Sequence, residues 1–256
     1  MRQLPVLAAL NHSFQSVWLN RMVALRMSWI WYIIVALVLA FSTQLTSSRG
    51  TASPEEPQAG FFLIDALTLL LVLLVNSAFA VHWHRYILLD EVPGMFDTFR
   101  LDGKVWRYFG NSLLIMLALI VPSIAIAIPF VFIAAAFAPQ LAALGSAIGV
   151  IFVVSVGFLR LGIKLPAIAL GVIDFRFTDA WRASAGNSSR IAAIFLITLS
   201  IALIAAAIIA ALSLSGSFIG VVLGFLLQLA INWFLTFFMI TLLTSLYGFF
   251  VQNRDF

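Results

Sequence analysis

The sequence predicts an all-α fold, a polytopic membrane helix bundle of six transmembrane helices, and three observations predict it. Of the 256 residues, 63% are hydrophobic and 9% charged, against roughly a quarter charged in soluble domains. Apolar runs of the length that crosses a hydrocarbon core of about 30 Å recur six times. Nearly all Lys and Arg residues fall on one side of the resulting weave.

The runs are 28–45, 61–83, 111–137, 141–169, 189–213 and 217–250. The first begins deep in the chain and has no Ala-x-Ala-like site behind it, so it reads as a span and not as a signal peptide. Pro122 and Pro129 are expected to kink the third run and Pro166 to bend the fourth, because proline removes a helical hydrogen bond and crowds the preceding turn. There is no cysteine, which excludes disulfide and thiolate chemistry.

Charge sets the expected orientation. With the N-terminus inside, thirteen of the fourteen Lys and Arg residues face the cytoplasm, and only Arg49 lies outside, in the loop 46–60 with Glu55 and Glu56. Short loops rich in Lys and Arg stay cytoplasmic, so both termini are placed there. A basic inner skin suits anionic lipid headgroups. The chain has no soluble basic module of the kind that reads nucleic acid, which is not an expected partner.

Two stretches echo one another. FRLDGKVWRYFGN at 99–111 and FRFTDAWRASAGN at 175–187 share a Phe-Arg pair, a Trp-Arg pair and a Gly-Asn ending, and each feeds an outward-going run. Val92, Phe96, Phe99 and Trp106 at helical spacing, with Pro93 suited to a first turn, predict an interfacial helix over 92–108. Thr178 or Asp179 is a cap for a second over 178–186. A third relative, VWLNRMVALRMSW at 17–29, follows the apolar stripe Leu7, Leu10, Phe14, Val17 and Trp18, which predicts an interfacial helix over 4–24. The expected plan is three repeats of an interfacial helix and an out-and-back hairpin. In it Trp18, Trp83, Trp106 and Trp181, with Arg85, Arg107 and Arg182, anchor the chain at headgroup level, where an indole ring and its N–H are both accommodated.

The segments WHRYILLDEVP at 83–93 and DAWRASAGNSSRI at 179–191 resemble bacterial inner-membrane proteins of the YciC type and the membrane domain of glycerophosphoryl-diester phosphodiesterases. The resemblance implies a polytopic protein of the bacterial inner membrane. It implies no phosphodiesterase activity, since the catalytic domain of such proteins is a separate soluble module.

Polar residues inside spans are costly and therefore informative. Asp65, near the outer end of the second run, reads as a solvated carboxylate at a helix start. Asn76 and the i, i+4 pair Gln228 and Asn232 read as interhelical hydrogen-bonding groups, worth about 0.6–2 kcal/mol each. Ion-coupled transport usually places carboxylates or His near the midplane, and none falls there. His82 and His84 sit two apart on a helix, roughly 200° around its axis, so they do not share a metal ion and read as interfacial. No metal, cofactor or catalytic group is expected. Gly216, Gly220 and Gly224 form a small-xxx-small ladder on the sixth run, matched by Gly145 and Gly149 on the fourth. The ladder predicts contact between those two helices, with a homodimer or partner-subunit contact as the alternative. The expected function is a non-enzymatic scaffold, accessory subunit or lipid- or partner-binding protein. Its expected partners are membrane lipids and either a larger membrane complex or a second copy. The alternative is a small-molecule or lipid permease, whose mark is a hydrated cavity touching Asn76, Gln228 or Asn232.

Overall fold

The computed structural model describes residues 2–47, 59–137 and 139–256, and side-chain surroundings for all of these but 39–47, 59–62, 130, 133–137 and 139–146. Arg49, Glu55 and Glu56, with the loop that holds them, lie outside the described residues. Among the described residues the chain forms nine α-helices and no strand. They are α1 (Val6–Leu19), α2 (Arg21–Ser47), α3 (Ala59–Leu89), α4 (Gly103–Phe137), α5 (Pro139–Leu161), α6 (Lys164–Leu170), α7 (Phe177–Ala183), α8 (Ser188–Ser213) and α9 (Phe218–Phe250). A 3-10 turn, Asp97–Phe99, stands between α3 and α4.

Among the described residues six segments are long and apolar enough to cross a membrane: Arg21–Val38, Leu63–Leu89, Gly103–Pro129, Ala147–Leu170, Ser188–Ser213 and Phe218–Phe250. This is a multi-pass membrane protein. A bilayer core offers no water to free N–H and C=O groups, so continuous helices are the form these apolar stretches take. Their outer faces carry large exposed side chains such as Phe132, Leu203 and Phe218, which belong against lipid.

Both termini meet at one end of the bundle. Arg2 forms an ion pair with Asp255, donates to the Arg254 carbonyl at 3.2 Å and stacks its guanidinium over Phe249. The tight core lies in the same half, where Phe79, Trp83, Ile163, Ile191, Phe237 and Leu242 are fully buried.

The expected helix over 92–108 does not form. Asp90 ends α3 in a left-handed conformation (φ 57°), which the short polar side chain of Asp tolerates. Asp97 then accepts from the Gly94 N–H at 2.6 Å, and Asp102 accepts from the Lys104 and Val105 N–H groups at 2.9 and 3.0 Å. These caps turn 91–102 into a compact loop, and the helix starts at Gly103. It runs unbroken through Trp106, Gly110 and Asn111 into the span. In the second stretch the same Gly-Asn ending interrupts the helix: Gly186 takes φ 75° and Asn187 turns inward, separating α7 from α8. The two echoing stretches therefore do not make matching elbows.

α1 is shorter than the expected 4–24, ending at Leu19. Its buried face is Ala9, Ser13 and Val17, small enough for close approach to α9, while Leu7, Phe14 and Trp18 are exposed. It runs antiparallel along the end of α9, with His12 and Ser13 at Ser245 and the Phe14 ring 5.4 Å from Phe234. Pro166 falls in the first turn of α6, and the break lies before it, where the Gly162 N–H donates to the Phe158 carbonyl at 2.7 Å.

Candidate functional site

Near mid-length, the inward faces of α2, α3 and α9 part around a cavity of about 680 Å³. α2 supplies Trp31, Tyr32, Val35 and Ala36; α3 supplies Val72, Val75, Asn76 and Phe79; α9 supplies Phe225, Gln228, Leu229, Asn232 and Thr236. The α3 and α9 sets follow the i, i+3, i+4, i+7 spacing of a single helix face, and the α2 set is two adjacent pairs one turn apart. The three helices thus bring together all three amide side chains singled out in the spans.

Two bonds close the end of the cavity nearer the termini. The Trp233 Nε1 donates to Ser28 Oγ at 3.0 Å, and the Tyr32 hydroxyl donates to Thr236 Oγ1 at 3.3 Å. The Tyr32 and Phe79 rings stack at 6.2 Å with 3° between their planes. Above this floor the polar groups are left open. Asn76 is half-buried, Gln228 and Asn232 are exposed, and none of the three amides hydrogen-bonds to another described residue. The expected interhelical hydrogen bonds are therefore not made. The Trp31 indole N–H is buried without a partner at the same cavity. Asn76, Gln228 and Asn232, with no bond to another described residue, border the space as its amide groups.

A second cavity of about 230 Å³ shares Asn76 and Thr236 with the first and continues to Ser77, Tyr108, Ser112 and Leu243. Beyond it lies a polar belt. His84, fully buried, bonds through Nδ1 to Thr244 Oγ1 at 2.7 Å and through Nε2 to the Tyr108 hydroxyl at 3.2 Å. Sequence periodicity placed His84 at the interface; it belongs to the core, where α4 and α9 satisfy both ring nitrogens.

The anchoring residues divide. Trp18, Trp106 and Trp181 are about half exposed, as headgroup-level aromatics are expected to be. Trp83 is not: it is completely buried, donates to Thr241 Oγ1 at 2.7 Å and packs edge-on against Phe237. Arg85 is spent inside the fold, with a bidentate pair to Glu91 at 2.7 and 2.5 Å and a bond to the Ala169 carbonyl at 3.0 Å. Arg107 and Arg182 are exposed, and Arg107 bonds only to the Gly103 carbonyl of its own helix. Asp65 is exposed in the second turn of α3 and borders neither cavity.

The glycine ladder faces a different partner from the expected one. Gly216 lies in the turn before α9, with φ 69°. A side chain at Gly220 would meet the Leu212 carbonyl at 2.7 Å, and one at Gly224 the Ser213 hydroxyl at 2.7 Å, so both let α9 close upon α8. Gly149 is half-buried on α5, and Gly145, on the same helix, has surroundings outside the described residues.

The most elaborate polar cluster off the cavity was invisible in the sequence. Arg160, 8% exposed, donates to Ser184 Oγ, Ser188 Oγ and the Trp181 carbonyl at 3.0, 3.1 and 2.9 Å, with its guanidinium 3.6 Å from the Trp181 ring centre. It ties the end of α5 to α7 and the start of α8. Close by, Asn187 Oδ1 accepts the Leu4 N–H at 2.8 Å and its amide donates to the Arg2 carbonyl, docking the N-terminus. Compared with family models, curated proteins and solved structures, the chain finds no match in any of the three.

Proposed function

We propose that this is a non-catalytic protein of the bacterial inner membrane that binds a lipid-like molecule between α2, α3 and α9, serving as a scaffold or accessory subunit. The observation that carries the reading is the mid-membrane cavity, where Asn76, Gln228, Asn232 and the Trp31 N–H lack partners among the described residues. Concave, mostly apolar spaces of 300–1,000 Å³ with a few convergent polar groups are the usual form of small-molecule sites. Cytoplasmic termini fit the basic residues gathered at the terminal end, and the exposed Arg107 and Arg182 suit anionic headgroups there. The resemblance of 83–93 and 179–191 to YciC-type proteins and to the phosphodiesterase membrane domain agrees with this setting.

Native mass spectrometry of gently extracted protein tests the reading. The wild type is expected to retain a lipid-sized adduct, and Ala36→Trp, which fills the cavity from α2, is expected to lose it. Equal adducts on both proteins, or none on either, count against cavity binding. A stoichiometric co-purifying protein would identify the complex served.

Transport is the second reading, favoured by the adjoining 230 Å³ cavity that continues from Asn76 and Thr236 toward Tyr108 and Ser112. Under transport, a cysteine placed at the buried Ser112 reacts with a membrane-impermeant maleimide. Under binding alone it stays unlabelled.

A further inference from the structure

We infer that the occupant of the mid-membrane cavity is an uncharged amphiphile, a lipid whose head is a carbonyl or hydroxyl group and carries no phosphate, carboxylate or ammonium. The inference rests on the cavity being a binding site and adds the chemistry that selects its occupant.

Among the described residues no formal charge lines the space. Its polar groups are three amides, two hydroxyls and one indole N–H, all neutral. The nearest arginines along α2 and α3 are already committed: Arg26 donates to the Pro93 carbonyl at 2.5 Å, and Arg85 holds Glu91. A charged head drawn to this depth leaves water and headgroups behind and meets no counter-charge, an arrangement bilayers strongly disfavour. A neutral head suffers no such loss. Asn and Gln offer both donors and acceptors, so a neutral head with a carbonyl or hydroxyl oxygen suits the lining. The remainder of the lining is aliphatic and aromatic, suited to an acyl or isoprenoid chain. Gln228 and Asn232 are exposed on α9, which makes the bilayer itself the source of the ligand.

Two photoreactive probes with the same acyl chain separate the possibilities, a monoacylglycerol and the corresponding lysophosphatidic acid, each cross-linked to the full chain in lipid nanodiscs and mapped by peptide mass spectrometry. The expected result is labelling of 31–36, 72–79 and 225–236 by the monoacylglycerol, about tenfold above the lysophosphatidic acid, the ratio that a difference of about 1.4 kcal/mol gives. Asn76→Leu with Asn232→Leu should reduce that labelling; neither side chain has a partner among the described residues, and the wild-type probe comparison stands without the variant. Equal labelling by both probes, or preference for the phosphate, overturns neutrality and leaves cavity binding intact. Absence of cavity labelling by either probe overturns both.

Discussion

Arg160 illustrates how a single residue carries tertiary information. Its three donors are used by Ser184, Ser188 and Trp181, and its flat face rests on the Trp181 ring. Hydrogen bonds from a charged group contribute about 1.5–3 kcal/mol, and the planar fork cannot be copied by an ammonium. Arg160→Ala should therefore lower stability by about 2–4 kcal/mol, read as a drop in the detergent unfolding temperature. Arg160→Lys should recover little of it. Full recovery by lysine would mean that charge alone, and not the fork, holds α5 to α7. Hydropathy reads Arg160 only as a span-ending charge, because its partners lie more than twenty residues away.

Among the elements, α1 is expected to dock in a pH-dependent way. Its His12 bonds to Ser245 at 3.0 Å and sits 5.5 Å from the Phe256 ring. Burial lowers its pKa below the usual imidazole value of about 6.5. A lowered histidine pKa means the unfolded or undocked chain binds the proton more readily, so the neutral contact is fully stabilising above about pH 6.5 and weakens as pH falls below it. Thermal unfolding at pH 7.5 and 5.5 should show an acid loss in the wild type that His12→Asn, which keeps an amide near Ser245, diminishes. An unchanged slope in the variant would place the acid sensitivity on other groups. The apolar stripe of α1 marked it as a helix, while its protein-facing residues were set by α9, which admits Ala9, Ser13 and Val17 where a larger side chain would hold it off.

For the whole molecule, the prediction concerns orientation. Ser215 lies in the turn between α8 and α9, and Asn253 is exposed beyond α9 at the opposite end. The chain has no cysteine, so each can be replaced to give a unique thiol. In intact cells Ser215→Cys should react with an impermeant maleimide, and Asn253→Cys only after permeabilisation. The reverse pattern would invert the topology and contradict the rule that short basic loops stay inside.

The sequence by itself determined that the chain is helical, that six stretches suit a bilayer, and that nearly all basic side chains gather at one end. Each of these depends on local composition or run length, which the chain carries without knowing its neighbours. It also named Asn76, Gln228 and Asn232 as unusual, because amides are costly in hydrocarbon at any position. Only the tertiary structure decided that the three converge on one cavity with Trp31, that Trp83 and His84 belong to the core, and that Gly220 and Gly224 face α8. Helical periodicity tells which residues share a face, but a face acquires its meaning from the helix opposite, and that pairing is set by packing among segments remote in sequence.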